Sequence, residues 1–168
     1  MKNRILISGL ILVILLVIGS KIVEKSHQKY PDDFNFIYKY GTNGREFLDT
    51  YSKTLKYASI NGMVEVKFEL SVEEKNAIYS KMRELEFMSI PSHFPNLITF
   101  EITPITISEL SAEYHNQKNT VRWNTRNFNL VNYENPTEGN QQLKAINELG
   151  TFIKQIIYDR LKNSEKLN

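Results

Sequence analysis

A strand-like stretch that runs directly into a helix start constrains the fold more than any other feature of this sequence. Apolar residues alternate with charged ones over residues 64–70, which predicts a strand with one buried and one solvated face. Ser71 and Glu74 then form the S-x-x-E pattern of a capping box, so a helix is predicted from Val72 to Leu85. The apolar face of such a strand and the apolar side of such a helix must both be buried. We therefore expect a helix to pack on one face of a sheet.

Further strands and one more helix are predicted on either side of this junction. Alternation or apolar runs predict strands at residues 34–40, 97–102, 105–114 and 120–125, with one irregular strand within 45–57. Turns are predicted at 41–44, at Asn61-Gly62 and at 115–119, and a loop at 126–140. An amphipathic helix is predicted over Gln141–Lys162.

The order of these elements predicts an α+β fold. Hairpins join most of the strands, which favours an antiparallel or mixed sheet of about five or six strands with two helices on one face. The N-terminal segment predicts a transmembrane helix in front of this domain, because Lys2 and Arg4 precede the apolar run Ile5–Gly19. The two positive charges favour a cytoplasmic N-terminus.

The length of the apolar run leaves two possibilities open. A helix over residues 5–19 would be about 22 Å long, shorter than a bilayer core of about 30 Å. Extension to Val23 gives about 28 Å, provided that Lys21 directs its ammonium group to the headgroups. We therefore expect an uncleaved anchor over residues 1–23. A cleaved signal peptide is the alternative, since Val17-Ile18-Gly19 is a weak cleavage pattern.

The rest of the chain is expected to lie outside the cytoplasm. Residues 24–33 are polar and are interpreted as a short stalk. Residues 34–162 are predicted to form one extracytoplasmic α+β domain, and residues 163–168 form a polar tail. The predicted location is thus the cell membrane, with a single pass and an extracytoplasmic C-terminal domain.

Composition excludes several functions. The whole chain has a net charge of +2, and the positive excess lies in the N-terminal segment, so the domain itself is near neutral. A near-neutral domain lacks the basic surface that binds nucleic acid. With no cysteine, the chain has no disulfides, thiolate metal ligands or cysteine nucleophile.

Two stretches resemble a group of small exported proteins of low-GC Gram-positive bacteria. They are "FNFIYKYGTNGREFLDTYSKT" and "FELSVEEKNAIYSKMRELEFMSIPSHF", and the resemblance extends over about residues 31–160. Proteins of that group are uncharacterised and membrane-anchored or lipoprotein-like, so the resemblance implies a location and a fold rather than an activity. Many carry a lipid-bearing cysteine where this chain has Ser20, which favours a bare membrane anchor here.

No catalytic, cofactor or metal site is predicted. The histidines are widely spaced and match no zinc pattern, and no serine lies in a nucleophile elbow. Asp32 and Asp33 are interpreted as a solvated turn, although two carboxylates could bind a cation. A hydrolase would need two facing carboxylates, for which the strands offer Glu65, Glu69, Glu101, Glu109 and Glu113.

One predicted hairpin carries residues that often dominate binding surfaces. We name Tyr114, His115, Arg122 and Arg126 as a possible partner-binding group. Trp123 alternates with Arg122 and is predicted to point into the core instead. The expected function is therefore a membrane-anchored, non-catalytic module that binds an unknown envelope or protein partner. A small envelope hydrolase that uses a pair of sheet carboxylates is the alternative.

Overall fold

The computed structural model describes residues 29–94, 106–124 and 138–165. The predicted anchor at 1–23, the predicted strand at 97–102, Glu101 and Arg126 lie outside these residues. Within the described part of the chain, no helix is both long and apolar enough to span a membrane.

The described residues form an α+β fold, as predicted, in which six antiparallel strands build one sheet. The strands are β1 (Asn35–Tyr40), β2 (Glu46–Asp49), β3 (Thr54–Ser59), β4 (Gly62–Lys67), β5 (Ile107–Tyr114) and β6 (Gln117–Asn124). Their order in the sheet is β4-β3-β2-β1-β5-β6. The helices are α1 (Val72–Glu84) and α2 (Glu138–Glu165), and a short 3₁₀ turn spans Phe87–Ser89.

Both helices pack on the same face of the sheet, which we call the covered face. The ring of Tyr79 on α1 contacts the rings of Phe34 and Tyr114, at centroid distances of 5.2 and 5.4 Å. Gly150 on α2 lies against Tyr38 and Trp123. The prediction that Trp123 points into the core is confirmed, since only 3% of it is exposed.

The start of α1 follows the sequence pattern closely. The Ser71 hydroxyl accepts a hydrogen bond from the Glu74 backbone N–H, and the Glu74 carboxylate accepts one from the Ser71 N–H. These two bonds occupy donors that the first helical turn would otherwise leave unpaired. Glu74 also accepts a hydrogen bond from Arg160 of α2, so the cap joins the two helices.

We expect Ser71→Ala to lower the free energy of unfolding by about 1 kcal/mol, because the N-terminus of α1 loses its capping hydroxyl. Chemical denaturation of the full chain would measure the change. Ser80→Ala is the matched control, since Ser80 is exposed in the interior of the same helix and should change stability by less than about 0.5 kcal/mol. Equal effects of the two substitutions would contradict the capping role.

Several predicted boundaries differ from the structure. The single irregular strand predicted within 45–57 is wrong, because a turn around residues 50–53 divides this region into β2 and β3. The Asp49 carboxylate accepts hydrogen bonds from the backbone of Tyr51 and the hydroxyl of Ser52, and this local bonding reverses the chain. The hairpin signal at Asn61-Gly62 is confirmed, with Ser59 paired to Gly62 across the turn.

The last hairpin and the last helix are longer than predicted. The turn between β5 and β6 consists of His115 and Asn116, both with positive φ, and the strand resumes at Gln117 rather than at Thr120. Backbone pairing with β5 holds the polar start of β6 in the sheet although its side chains are exposed. Helix α2 extends three residues beyond the prediction at each end, because the apolar stripe marks the buried middle of a helix and not its ends.

Candidate functional site

The sheet has two distinct ends. β1 runs from Asn35, beside Glu113, to Tyr40, beside Glu46. We call the end at Asn35 the proximal end, because the described chain begins there at Lys29. It carries the turns at 50–53 and 115–116. The opposite, distal end carries the turn at 41–45 and the hairpin tip at residues 60–61.

Residues 29–33, which we call the approach segment, are bound to the domain at the proximal end. The backbone N–H groups of Lys29 and Tyr30 both donate to Oδ1 of Asn76 on α1, at 2.7 and 3.2 Å. The Asp33 carboxylate accepts a hydrogen bond of 2.8 Å from the Asn116 backbone N–H, which lowers the pKa of Asp33. The stretch interpreted as a stalk therefore contributes its last five residues to the folded unit.

An aromatic cluster lies beneath the approach segment. Phe34 contacts the rings of Tyr30, Tyr79 and Tyr114 at centroid distances of 5.8, 5.2 and 6.1 Å. The Tyr79 hydroxyl and Nε2 of His115 share a hydrogen bond of 2.9 Å. Burial raises the pKa of Tyr114. The cluster thus joins the beginning of the domain to α1 and to the β5–β6 turn.

The structure separates the four residues named as a possible partner-binding group. Tyr114 is buried on the covered face and His115 lies beside it in the turn. Arg122 pairs in register with Glu109, five residues along β6 from Gln117, so it lies about 17 Å from the turn. It also lies on the other face of the sheet, and Arg126 lies outside the described residues. Binding by these residues stays a prediction.

A shallow groove beside the aromatic cluster was not predicted from the sequence. The groove has a volume of about 340 Å³ and is lined by Lys29, Tyr79, Ser80, Arg83 and Glu84. The guanidinium carbon of Arg83 lies 6.0 Å from the centroid of the Tyr79 ring. Lys29 is far from the α1 residues in sequence, so the helical pattern alone could not indicate that these side chains share a site.

The face of the sheet opposite the helices, which we call the open face, is uncovered by any described element. One row across all six strands has an aromatic ring between two lysines, each of which lies beside a glutamate, in the order Glu65, Lys56, Phe47, Lys39, Glu109, Arg122. The Lys39 ammonium and the Glu109 carboxylate form an ion pair of 2.9 Å. Most charges in this row therefore have an oppositely charged neighbour within the domain.

Tyr51 adds a second aromatic ring at the proximal edge of the open face. Its side chain is 48% exposed, and its hydroxyl donates a 3.0 Å hydrogen bond to the Glu113 carboxylate. Partial burial, followed by this hydrogen bond, raises the pKa of Tyr51 to about 12. Tyr51 therefore keeps its proton at physiological pH and presents an apolar ring that is held in place at its tip.

The described glutamates that were candidates for hydrolysis do not converge. Glu109 and Glu113 lie four residues apart on β5, or about 13 Å, and Glu65 lies four strands from Glu109, or about 19 Å. Paired catalytic carboxylates of glycosidases lie about 5–9.5 Å apart. Glu69 binds Lys53, which lowers its pKa, whereas a general acid needs a raised pKa.

Histidine and carboxylate groups do not assemble into a metal site within residues 29–94, 106–124 and 138–165. Nδ1 of His93 is bonded to the Ser92 hydroxyl, and His115 is bonded to Tyr79. Asp33, one of the two adjacent carboxylates considered for a cation, instead holds the β5–β6 turn.

No known family model matches the chain. A search of curated proteins also finds no similar sequence.

Proposed function

We propose that this chain is a membrane-anchored extracytoplasmic module that binds a protein partner at the bacterial cell envelope without catalysis. The basic residues and apolar run of the N-terminus support the anchor and the outward orientation of the domain. The resemblance to exported proteins of Gram-positive bacteria supports the same location. The separation of the described glutamates favours binding over the alternative, a small envelope hydrolase.

The open face is the observation that carries this proposal. It is mixed in chemistry: Ile37 and Phe47 lie among charged residues in its centre, and the exposed ring of Tyr51 lies at its edge. Protein interfaces combine apolar and aromatic contacts with paired polar groups in this way. Since the Lys39–Glu109 pair is already formed within the domain, a partner can cover it without leaving either charge unpaired.

A photo-crosslinking experiment tests this function. We expect a benzophenone side chain at position 51 of the full chain in its own cells to form a discrete adduct that mass spectrometry identifies as a protein. The same group at Gln155, which is exposed on the outer side of α2, is the matched control and should form none. Adducts of equal yield at both positions, or none at either, would contradict partner binding at the open face.

Substitution of Tyr51 refines the test. With the benzophenone placed at Thr54 instead, Tyr51→Ala should weaken partner capture about tenfold, which corresponds to about 1.4 kcal/mol. Stability should change little, because Tyr51 is exposed.

Protease digestion of intact cells tests the location separately, since an extracytoplasmic domain is cleaved from outside.

A further inference from the structure

The approach segment determines which end of the domain faces the membrane if residues 1–23 form the anchor. Five residues separate Val23 from Lys29, and a fully extended chain of this length reaches about 20 Å. The backbone of Lys29 and Tyr30 is bound to Asn76 of α1, so the chain leaves the domain at a defined place. The proximal end therefore lies close to the lipid headgroups, and the hairpin tip at residues 60–61 lies at the far end of the sheet.

The proximal end also carries side chains of the kind found at lipid headgroups. Tyr30 is half-buried, and the Lys75 ammonium lies 5.4 Å from the centroid of its ring. Arg83 is exposed, and its guanidinium carbon lies 6.0 Å from the centroid of the buried Tyr79 ring. Tyrosine is enriched at membrane interfaces, where an apolar ring and a polar tip are both accommodated. Lysine and arginine near a surface bind phosphate-bearing headgroups.

The groove offers donors for one phosphodiester. Lys29 and Arg83 supply two cations, and Ser80 supplies a hydroxyl on the exposed side of α1. Glu84 lines the same groove, so its carboxylate opposes a highly charged anion and leaves the site suited to a single negative charge. A lipid phosphodiester carries one such charge.

We propose that the proximal end rests on the membrane that holds the anchor and that the groove binds a lipid headgroup phosphate through Lys29, Ser80 and Arg83. This proposal rests on the anchor in the proposed function. Because the short tether holds the groove at the lipid surface, the effective concentration of headgroups is high, and weak intrinsic affinity is sufficient. Docking of this end would leave the open face free for a partner.

The absence of cysteine allows a direct test with single labels on the full chain. Gln117→Cys places a fluorophore at the proximal end outside the groove, and Ile60→Cys places one at the distal hairpin tip, where Ile60 is fully exposed. Each labelled protein is reconstituted into phosphatidylglycerol–phosphatidylcholine vesicles that contain a lipid with a spin-labelled headgroup. We expect the spin label to quench the fluorophore at position 117 at least threefold more than the one at position 60.

Charge variants then test the groove itself. In the Gln117→Cys protein, Lys29→Gln with Arg83→Gln should reduce quenching by at least half, whereas Glu84→Gln should maintain or increase it. All three side chains are exposed, so the variants should fold, and circular dichroism checks this. Replacement of the phospholipids by uncharged glycolipids should reduce quenching to the level of the double variant.

The outcomes separate this inference from the function on which it rests. Failure of the chain to float with vesicles of any composition would contradict the anchor. Flotation with equal quenching at positions 117 and 60 would overturn docking of the proximal end and leave the anchor intact. Stronger quenching at position 117 that the charge variants and glycolipids leave unchanged would overturn the phosphate site.

Discussion

Replacing Phe34 with alanine is expected to lower the free energy of unfolding by about 3–5 kcal/mol, the usual cost of deleting a fully buried phenylalanine ring. Phe34 is 1% exposed and lies at the centre of the proximal aromatic cluster, in contact with four other rings. A domain of this size has a total stability of about 5–15 kcal/mol, so the loss is a large part of the whole. The approach segment and the β5–β6 turn should loosen together.

The measurement is chemical denaturation of the full chain in detergent, followed by the fluorescence of Trp123, the single tryptophan. Phe47→Ala is the matched control. Phe47 lies on the open face and is only partly buried, so its loss should cost about 1 kcal/mol. If the two substitutions destabilised the protein equally, the aromatic cluster would not be the packing centre of the proximal end.

Gly150→Ala is expected to destabilise the protein by about 1–2 kcal/mol, although alanine favours helices more than glycine does. A Cβ atom at position 150 would lie 2.6 Å from the Tyr38 hydroxyl oxygen and 3.0 Å from Cζ2 of Trp123. Overpacking of a core costs about 1–3 kcal/mol, whereas the gain in helix propensity is about 1 kcal/mol. The steric term should dominate because Tyr38 is completely buried and cannot move aside.

A double-mutant cycle with Tyr38→Phe tests this explanation. Among the described residues, the buried Tyr38 hydroxyl has no hydrogen-bond partner in ordinary geometry, and burial raises its pKa to about 12 although the Ser108 hydroxyl acts to lower it. Removal of the Tyr38 hydroxyl should stabilise the protein by up to about 1 kcal/mol, since an unpaired buried polar group is unfavourable. In the Tyr38→Phe background the closest contact is gone, so Gly150→Ala should cost at least about 0.5 kcal/mol less than in the unmodified protein, while the 3.0 Å contact with Trp123 remains.

Thr151→Ala is the control for general effects on α2, because Thr151 is exposed next to Gly150. Its effect should stay within about 0.5 kcal/mol. An unchanged cost of Gly150→Ala in the two backgrounds would mean that the contact with Tyr38 does not determine the presence of glycine here.

Local patterns predicted much of the fold because they depend on neighbours in sequence. The alternation of Phe34, Phe36, Tyr38 and Tyr40 predicted the buried face of β1, and all four side chains are buried. The apolar stripe predicted the buried residues of α2, among them Ile146 and Ile153. The prediction failed where polar residues occupy a strand, as at the start of β6, because backbone pairing and not side-chain burial holds them there.

The candidate site was less predictable. Tyr114 and His115 were named because they lie on a predicted hairpin that carries residue types common at binding surfaces, yet their contacts to Phe34 and Tyr79 come from segments far away in sequence. Arg122 was grouped with them by position on one hairpin, and the length of β6 then separates it from the turn. Membership of one hairpin does not show that residues form one site. Their side chains can lie on opposite faces of the sheet or far apart along the strands.

The amino-acid sequence by itself determined the types of its elements, the buried face of each and the cap that begins α1, because periods of 2 and 3.6 residues and capping bonds are local properties. Only the tertiary structure decided that β1 pairs with both β2 and β5, that Lys29 and Arg83 share a groove, and that Gly150 lies against Tyr38. These relations join segments distant in the chain, so they depend on how the whole core packs rather than on any short stretch of residues.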